Sequence, residues 1–234
     1  MCLSPQADLV AGLAMSVVAV DALRHCSSRR LLGLAALPAI FAVHTFTSAV
    51  VWLGLLGEAS ATVLDVATAF YLVVAFVLLP VYVPMSIAII EPPGWRRVAL
   101  VVLTAAGTYA AVDFMVGLID GRASAVACDR YIDFNVVSTS SLSAVLYVVA
   151  TCGALLLAGQ RILFAWGLTN VVVVAVLALW VGRGLPSLWC LWAAVSSVLV
   201  AWYLRRLAQD RAAGAPWPWQ AEGQVKAPVE GGGP

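Results

Sequence analysis

The sequence predicts an all-α, polytopic membrane protein, a bundle of about seven transmembrane helices with the N-terminus outside and the C-terminus inside. Composition is the first observation: the 234 residues are 63% hydrophobic and 11% charged, with a mean hydropathy of +0.98. Soluble domains run about 45–50% apolar and about 25% charged. The second is the recurrence of apolar runs near 20 residues, the length of a helix that crosses a bilayer. The third is the distribution of the basic residues, which sets the orientation.

The runs cover roughly 7–24, 31–56, 62–90, 97–119, 140–158, 162–182 and 185–204. Met1 to Asp8 carry no Lys or Arg, so the first run is expected to stay as a span rather than leave as a signal peptide. The second and third are long enough to tilt or kink. Pro80 and Pro84 stand one turn apart in the third, and each removes a backbone donor, which predicts a kink. The fifth and sixth are parted by Gly159, Gln160 and Arg161, the makings of a tight helical hairpin. None of the runs alternates apolar and polar residues, so strands are not expected. The organisation is a seven-helix domain over 1–208 and a disordered cytoplasmic tail over 209–234, with Ala-Pro-Trp-Pro-Trp at 215–219 and Gly-Gly-Gly-Pro at the end.

With the N-terminus outside, the inner segments collect Arg24, Arg29, Arg30, Arg96, Arg97, Arg161, Arg205, Arg206, Arg211 and Lys226, and the outer ones Arg122, Arg130 and Arg183. That is ten against three of the 13 basic residues, a positive-inside bias that places the chain in the plasma membrane. The lipid bilayer is then its first partner. A net charge of +1 offers no basic stripe for nucleic acid.

Ionisable groups inside a membrane read as functional and need a partner. His44 is near the middle of the second span, Asp113 in the outer half of the fourth, and Asp65 at the outer start of the third. His44, Ser48 and Trp52 share a helical face. His44 there could bind metal, relay protons, or hydrogen-bond a neighbouring Ser or Thr. Asp21 near Arg24, and Glu91 near Arg96 and Arg97, read as solvated pairs at helix ends. The long outer loop, Asp120 to Thr139, carries Arg122, Cys128, Asp129, Arg130, Tyr131 and Asp133 and is the loop best suited to a folded functional element.

Several seven-helix chemistries fit poorly. A retinal Schiff base requires a lysine inside a helix, and the only lysine is Lys226 in the tail. Haem between two membrane histidines requires two at similar depth, whereas His25 is in an inner loop. Zinc hydrolases of the membrane ceramidase type use several histidines, and the chain has 2. No glycine-framed serine motif of the rhomboid type is present.

The cysteines form the most suggestive pattern. Cys2, Cys128 and Cys190 converge on the outer side, an oxidising compartment where a disulfide persists. Cys2 with Cys128 is the plainest pairing. Removal of the initiator Met would alternatively leave a terminal cysteine able to chelate a soft metal, with His44, Cys128 and Cys190 as further candidate ligands. Cys26 lies in an inner loop and Cys152 mid-span. Cys190 also heads a small-residue stripe with Ala194, Ser197 and Ala201 that would let helices approach closely, within the bundle, against a second copy or in a membrane complex. Asn170 is expected to cross-link neighbouring helices.

Met1-Cys2-Leu3-Ser4 followed by Ala7-Asp8, then Pro38 with Phe41, His44, Phe46, Val51 and Trp52, then Ser187-Leu-Trp-Cys-Leu-Trp-Ala-Ala-Val-Ser-Ser197, resemble an uncharacterised family of bacterial multi-pass membrane proteins. Its members begin Met-Cys-aromatic-Ser and carry Ser-x-Trp-Cys in the last helix. The resemblance implies the topology and a shared role for Cys2, Trp52, Trp189 and Cys190. It brings no activity. Thr45 and Ser48 stand where that family commonly has glutamine and glutamate, and Arg130 precedes Tyr131 where relatives tend to have histidine.

The candidate functional residues are therefore Cys2, His44, Ser48, Trp52, Asp65, Asp113, Cys128, Tyr131, Trp189 and Cys190. The leading expectation is binding or sensing of a small or lipid-like molecule at an outward-facing site, or an accessory role. A membrane enzyme with metal-dependent redox or thiol chemistry is the first alternative. A transporter is the second, suggested by Pro80 and Pro84.

Overall fold

The computed structural model describes residues 4–121, 123–128, 131–136, 140–180 and 185–220. Among the described residues the architecture is helical apart from one hairpin. Helix α1 (Pro5–Arg24) opens on Ser4, whose Oγ accepts the Ala7 N–H at 3.1 Å, with proline in the first turn where no N–H is needed. A 3₁₀ turn (Arg29–Leu31) leads into α2 (Leu32–Leu55), which packs along α1. Helix α3 (Ala61–Leu72) continues through a π-helical turn (Val73–Leu78) into α4 (Leu79–Ile90). Then come α5 (Trp95–Ile119), strands β1 (Ala123–Cys128) and β2 (Tyr131–Val136), α6 (Ser141–Leu157), α7 (Arg161–Trp180), α8 (Leu185–Ser196) and α9 (Val198–Ala212).

Among the described residues, six helical runs are long and apolar enough to cross a membrane: Pro5–Arg24, Arg29–Leu55, Ala61–Ile90, Trp95–Ile119, Arg161–Trp180 and Leu188–Ala212. Helix α6 is apolar but shorter, at 17 residues. The outer faces agree with a lipid surround. Val10, Leu13 and Val17 on α1 and Val98, Val102 and Val112 on α5 are all exposed, apolar surface of the kind that marks contact with a membrane or a partner.

The disturbance predicted at Pro80 and Pro84 takes the form of the π-helical turn. Pro80 has no N–H for the Phe76 carbonyl and Pro84 none for the Pro80 carbonyl, and just before them the Leu79 N–H reaches back five residues to Val74. The freed Pro80 carbonyl faces α5 at Gly107, where any Cβ would run into its oxygen. Glycine there lets two helix backbones meet.

Four local expectations are corrected. The long loop after α5 contains strands: β1 and β2 pair antiparallel from Ala123↔Val136 to Cys128↔Tyr131. Ile132 and Phe134 are buried between less buried neighbours in β2, a period-2 pattern too short to register beside the long apolar runs. Glu91 is buried rather than solvated, at 2% exposure: its Oε2 accepts the Gly159 N–H at 3.0 Å and its Oε1 is 3.8 Å from Arg96 Nη1. Asp21 pairs across the bundle with Arg205 of α9, two contacts of 2.6 Å, in an exposed bridge that solvent screens. Asn170 donates to the Trp166 carbonyl of its own helix at 2.8 Å, and the side chain that crosses between helices is Trp166, donating to Ser196 Oγ at 2.7 Å.

The stripe of Ala194, Ser197 and Ala201 is buried, with Cys190 partly so. Ser197 Oγ donates to the Ala194 carbonyl at 2.7 Å where α8 gives way to α9. The tail expected to be structureless from Gln209 has its first residues in α9, which runs to Ala212. Beyond it, Trp217 and Trp219 stack at 4.7 Å and pack against the core. Residues 221–234 lie outside the described residues.

Candidate functional site: a buried polar cluster around His44

Helix α2 presents His44, Ser48 and Trp52 four residues apart on one inward face, at 2%, 2% and 6% exposure. Helix α3 adds Thr68 and Tyr71, three residues apart and both buried. Tyr71 stacks on His44 with ring centroids 3.9 Å apart, and Phe134 of β2 stacks on the other side of Tyr71 at 4.0 Å. Each stack contributes about 0.5–1.5 kcal/mol beyond burial. The hairpin is thereby fastened over this end of the bundle, touching α2 and α3 through β1 and α5 and α8 through β2. Helix α1 brings Asp8, fully buried, with Ser48 as a hydrogen-bond partner of its carboxyl group.

Not every polar atom here is satisfied. Neither His44 Nδ1 nor His44 Nε2 has a hydrogen-bond partner among the described residues, and the same holds for Trp52 Nε1 and Thr68 Oγ1. The neighbours expected to satisfy His44 are engaged elsewhere: Thr45 Oγ1 donates to the Phe41 carbonyl at 2.8 Å, and Ser48 faces Asp8. A neutral imidazole offers one donor and one acceptor, an indole one donor, and a hydroxyl both. Leaving such groups buried and unpaired costs about 1–3 kcal/mol each. The cluster can therefore present a donor and acceptor pattern to a polar molecule, framed by aromatic rings.

Of the residues predicted as functional, the structure brings together His44, Ser48 and Trp52, with Tyr131 and Cys190 packed against the same cluster. Trp189 belongs to a neighbouring aromatic group, edge-on to Tyr147 at 5.2 Å, with Phe76 and Phe114 beside it. Asp113 adjoins that group on α5, partly buried. Cys190 also borders a central cavity of about 50 Å³ with Tyr147, Asn170 and Trp189, room for a few water molecules but far below the ~300 Å³ of a ligand pocket. Asp65 is exposed on another face of α3, and Cys128 sits where the hairpin turns. Cys2 lies outside the described residues. Cys26, Cys128 and Cys152 are free thiols. Among the described residues no three His, Cys, Asp or Glu side chains group as a metal site.

Sequence reasoning missed Asp8, Thr68, Tyr71 and Phe134. Asp8 carried a signal, a carboxylate in the first turn of an apolar span, hidden by its place at the end of the run. Thr68 and Tyr71 lie three residues apart facing the second helix, a weaker hint. Phe134 required the hairpin.

No curated protein and no solved structure matches the chain. Residues 1–215 match the model of an uncharacterised protein family. The chain belongs to the family of unknown function DUF6629.

Proposed function

We propose that the chain is a seven-span plasma-membrane protein, N-terminus outside, whose outward half binds a small polar molecule through His44. The observation that carries this reading is His44 itself, buried to 2% exposure with both ring nitrogens unpartnered among the described residues. A purely structural histidine is satisfied by its neighbours. This one is stacked and held in place while its polar atoms remain available, which is the pre-organisation a binding site needs. Trp52 and Thr68 add a further donor and a hydroxyl, and the hairpin covers the site from the outer side.

The ten-to-three distribution of basic residues supports the orientation. The seventh span is α6, whose 17 residues reach about 25 Å at 1.5 Å per residue, short of a ~30 Å hydrocarbon core by an amount that local thinning accommodates.

His44→Phe tests the reading, because it keeps a ring for the Tyr71 stack and removes both nitrogens. Small molecules released from purified protein are identified by mass spectrometry, native against variant. A polar compound recovered near one per chain from the native protein and lost from the variant is the expected result. The emptied variant is expected to be as stable as native or more so, by up to about 3 kcal/mol, because unsatisfied polar atoms have gone. Equal recovery from both, or a strongly destabilised variant, would contradict the proposal.

A further inference from the structure

A second feature stands at the opposite end of the bundle, past residue 215 where the family match ends. After α9 the chain turns back, with Ala215 N–H on the Asp210 carbonyl at 3.0 Å and Gln220 N–H on the Trp217 carbonyl at 2.8 Å. Trp217 and Trp219 stack face to face at 4.7 Å with 9° between planes, partly buried against the core. Each ring carries an arginine: Arg211 of α9 lies 4.5 Å from the Trp217 ring centre, and Arg30 of the turn before α2 lies 5.5 Å from that of Trp219. Two arginines far apart in sequence are thus collected on one aromatic platform.

Stacking leaves the in-plane N–H groups of a guanidinium available for a forked contact with phosphate. Arg30 is exposed, and its guanidinium makes no hydrogen bond or ion pair among the described residues. Arg211 gives one donor to the Ala215 carbonyl and keeps the others. Arg24, Arg29 and Arg206 are exposed on the same elements, whereas Asp21 is occupied by Arg205. Among the described residues Asp210, exposed beside Arg211, is the other acid of this end on these segments. The balance is strongly basic, at the depth where tryptophan sits among headgroups.

We propose that Arg30, Arg211, Trp217 and Trp219 form a clamp for the phosphate headgroup of an anionic phospholipid of the inner leaflet. The occupant is a lipid rather than a soluble anion because the platform borders the apolar coat of α1 and α9, where Val20, Leu23 and Trp202 are exposed, and acyl chains can lie against it. The site is separate from the His44 cluster and does not depend on it. Only its leaflet rests on the orientation proposed above.

Full-length protein in nanodiscs of phosphatidylcholine with a minority of phosphatidylglycerol provides the test, because both leaflets then have the same composition and orientation does not enter. Lipids retained on the protein are counted by native mass spectrometry. Native protein is expected to enrich phosphatidylglycerol, and Arg30→Gln with Arg211→Gln to reduce the enrichment about fivefold per arginine. The double variant Trp217→Ala, Trp219→Ala, whose charge is unchanged, is expected to lose a comparable share. Arg24→Gln with Arg206→Gln, outside the clamp, is expected to lose much less. Thermal unfolding in phosphatidylcholine alone checks that each variant is folded; should the tryptophan variant fail there, the contrast between the two arginine pairs decides. Equal losses from the two arginine pairs would overturn the clamp in favour of a diffuse basic surface. Displacement of the lipid by millimolar inorganic phosphate would overturn the choice of a lipid.

Discussion

Gly107→Ala is expected to destabilise the bundle by more than about 3 kcal/mol, near the upper range for an overpacked core. The added methyl meets the Pro80 carbonyl oxygen and carbon and the Ala150 Cβ at once. The first two are backbone, so no rotamer change relieves the clash and α4 and α5 must separate. Alanine's better helix propensity returns about 1 kcal/mol, too little to reverse the sign. Gly153→Ala on α6 is the control: its nearest neighbour is Leu103 Cδ1 at 3.4 Å, an ordinary contact, and that variant is expected to be neutral or slightly stabilised. Thermal unfolding of both in the same detergent checks the contrast. Equal behaviour would mean that the backbones of α4 and α5 do not meet at Gly107.

Arg96→Ala is expected to cost about 3–5 kcal/mol, the penalty for leaving a buried charge without its partner. The pair is asymmetric: Glu91 is 2% exposed and Arg96 42%. Removing the arginine strands a buried carboxylate, whereas removing the carboxylate lets the arginine turn to water. Glu91→Gln retains an oxygen to accept the Gly159 N–H and is expected to cost less than about 1.5 kcal/mol, the net worth of one hydrogen bond. Combining the two should recover most of the loss, a coupling read by a double-mutant cycle in thermal or denaturant unfolding. Additive losses would show that Arg96 does not compensate Glu91. Gly159 belongs to the same unit, since a Cβ there would stand 2.8 Å from both Arg96 Nη1 and Glu91 Oε1.

These two sites show what sequence can and cannot reveal. Helix positions were legible because lipid imposes a uniform demand: each span needs a continuous apolar run, and six of the expected runs coincide with helices long enough to cross. Pro80 and Pro84 announced a disturbance, but not that Gly107, on the next helix, would receive the carbonyl they free. Glu91 looked solvated because the partner that receives it in the buried position, the Gly159 N–H, is distant in sequence. Asp21 likewise found Arg205 rather than Arg24. Ion pairing within a helix end is a local inference, and partner choice across a bundle is not.

The candidate site divides in the same way. His44, Ser48 and Trp52 were readable from a four-residue spacing on one helix. Tyr71 and Phe134 enter through α3 and the hairpin, whose period-2 pattern spans six residues per strand. Asp8 lay in plain view at the start of the first span. In this chain the carboxylate beside Ser48 comes from α1.

The central claim is that the His44 nitrogens are held available for a ligand, and nitrogen-15 NMR of the imidazoles tests it most directly. The chain has 2 histidines, so His25→Gln and His44→Phe assign both spectra. In protein stripped of small molecules, the two His44 nitrogens are expected to give the shifts of a single neutral tautomer with no hydrogen-bond partner. Returning the small-molecule extract of the native protein should move them while His25 stays in place. His44 shifts that already report hydrogen bonding in the stripped protein, and do not move when the extract is returned, would contradict the account.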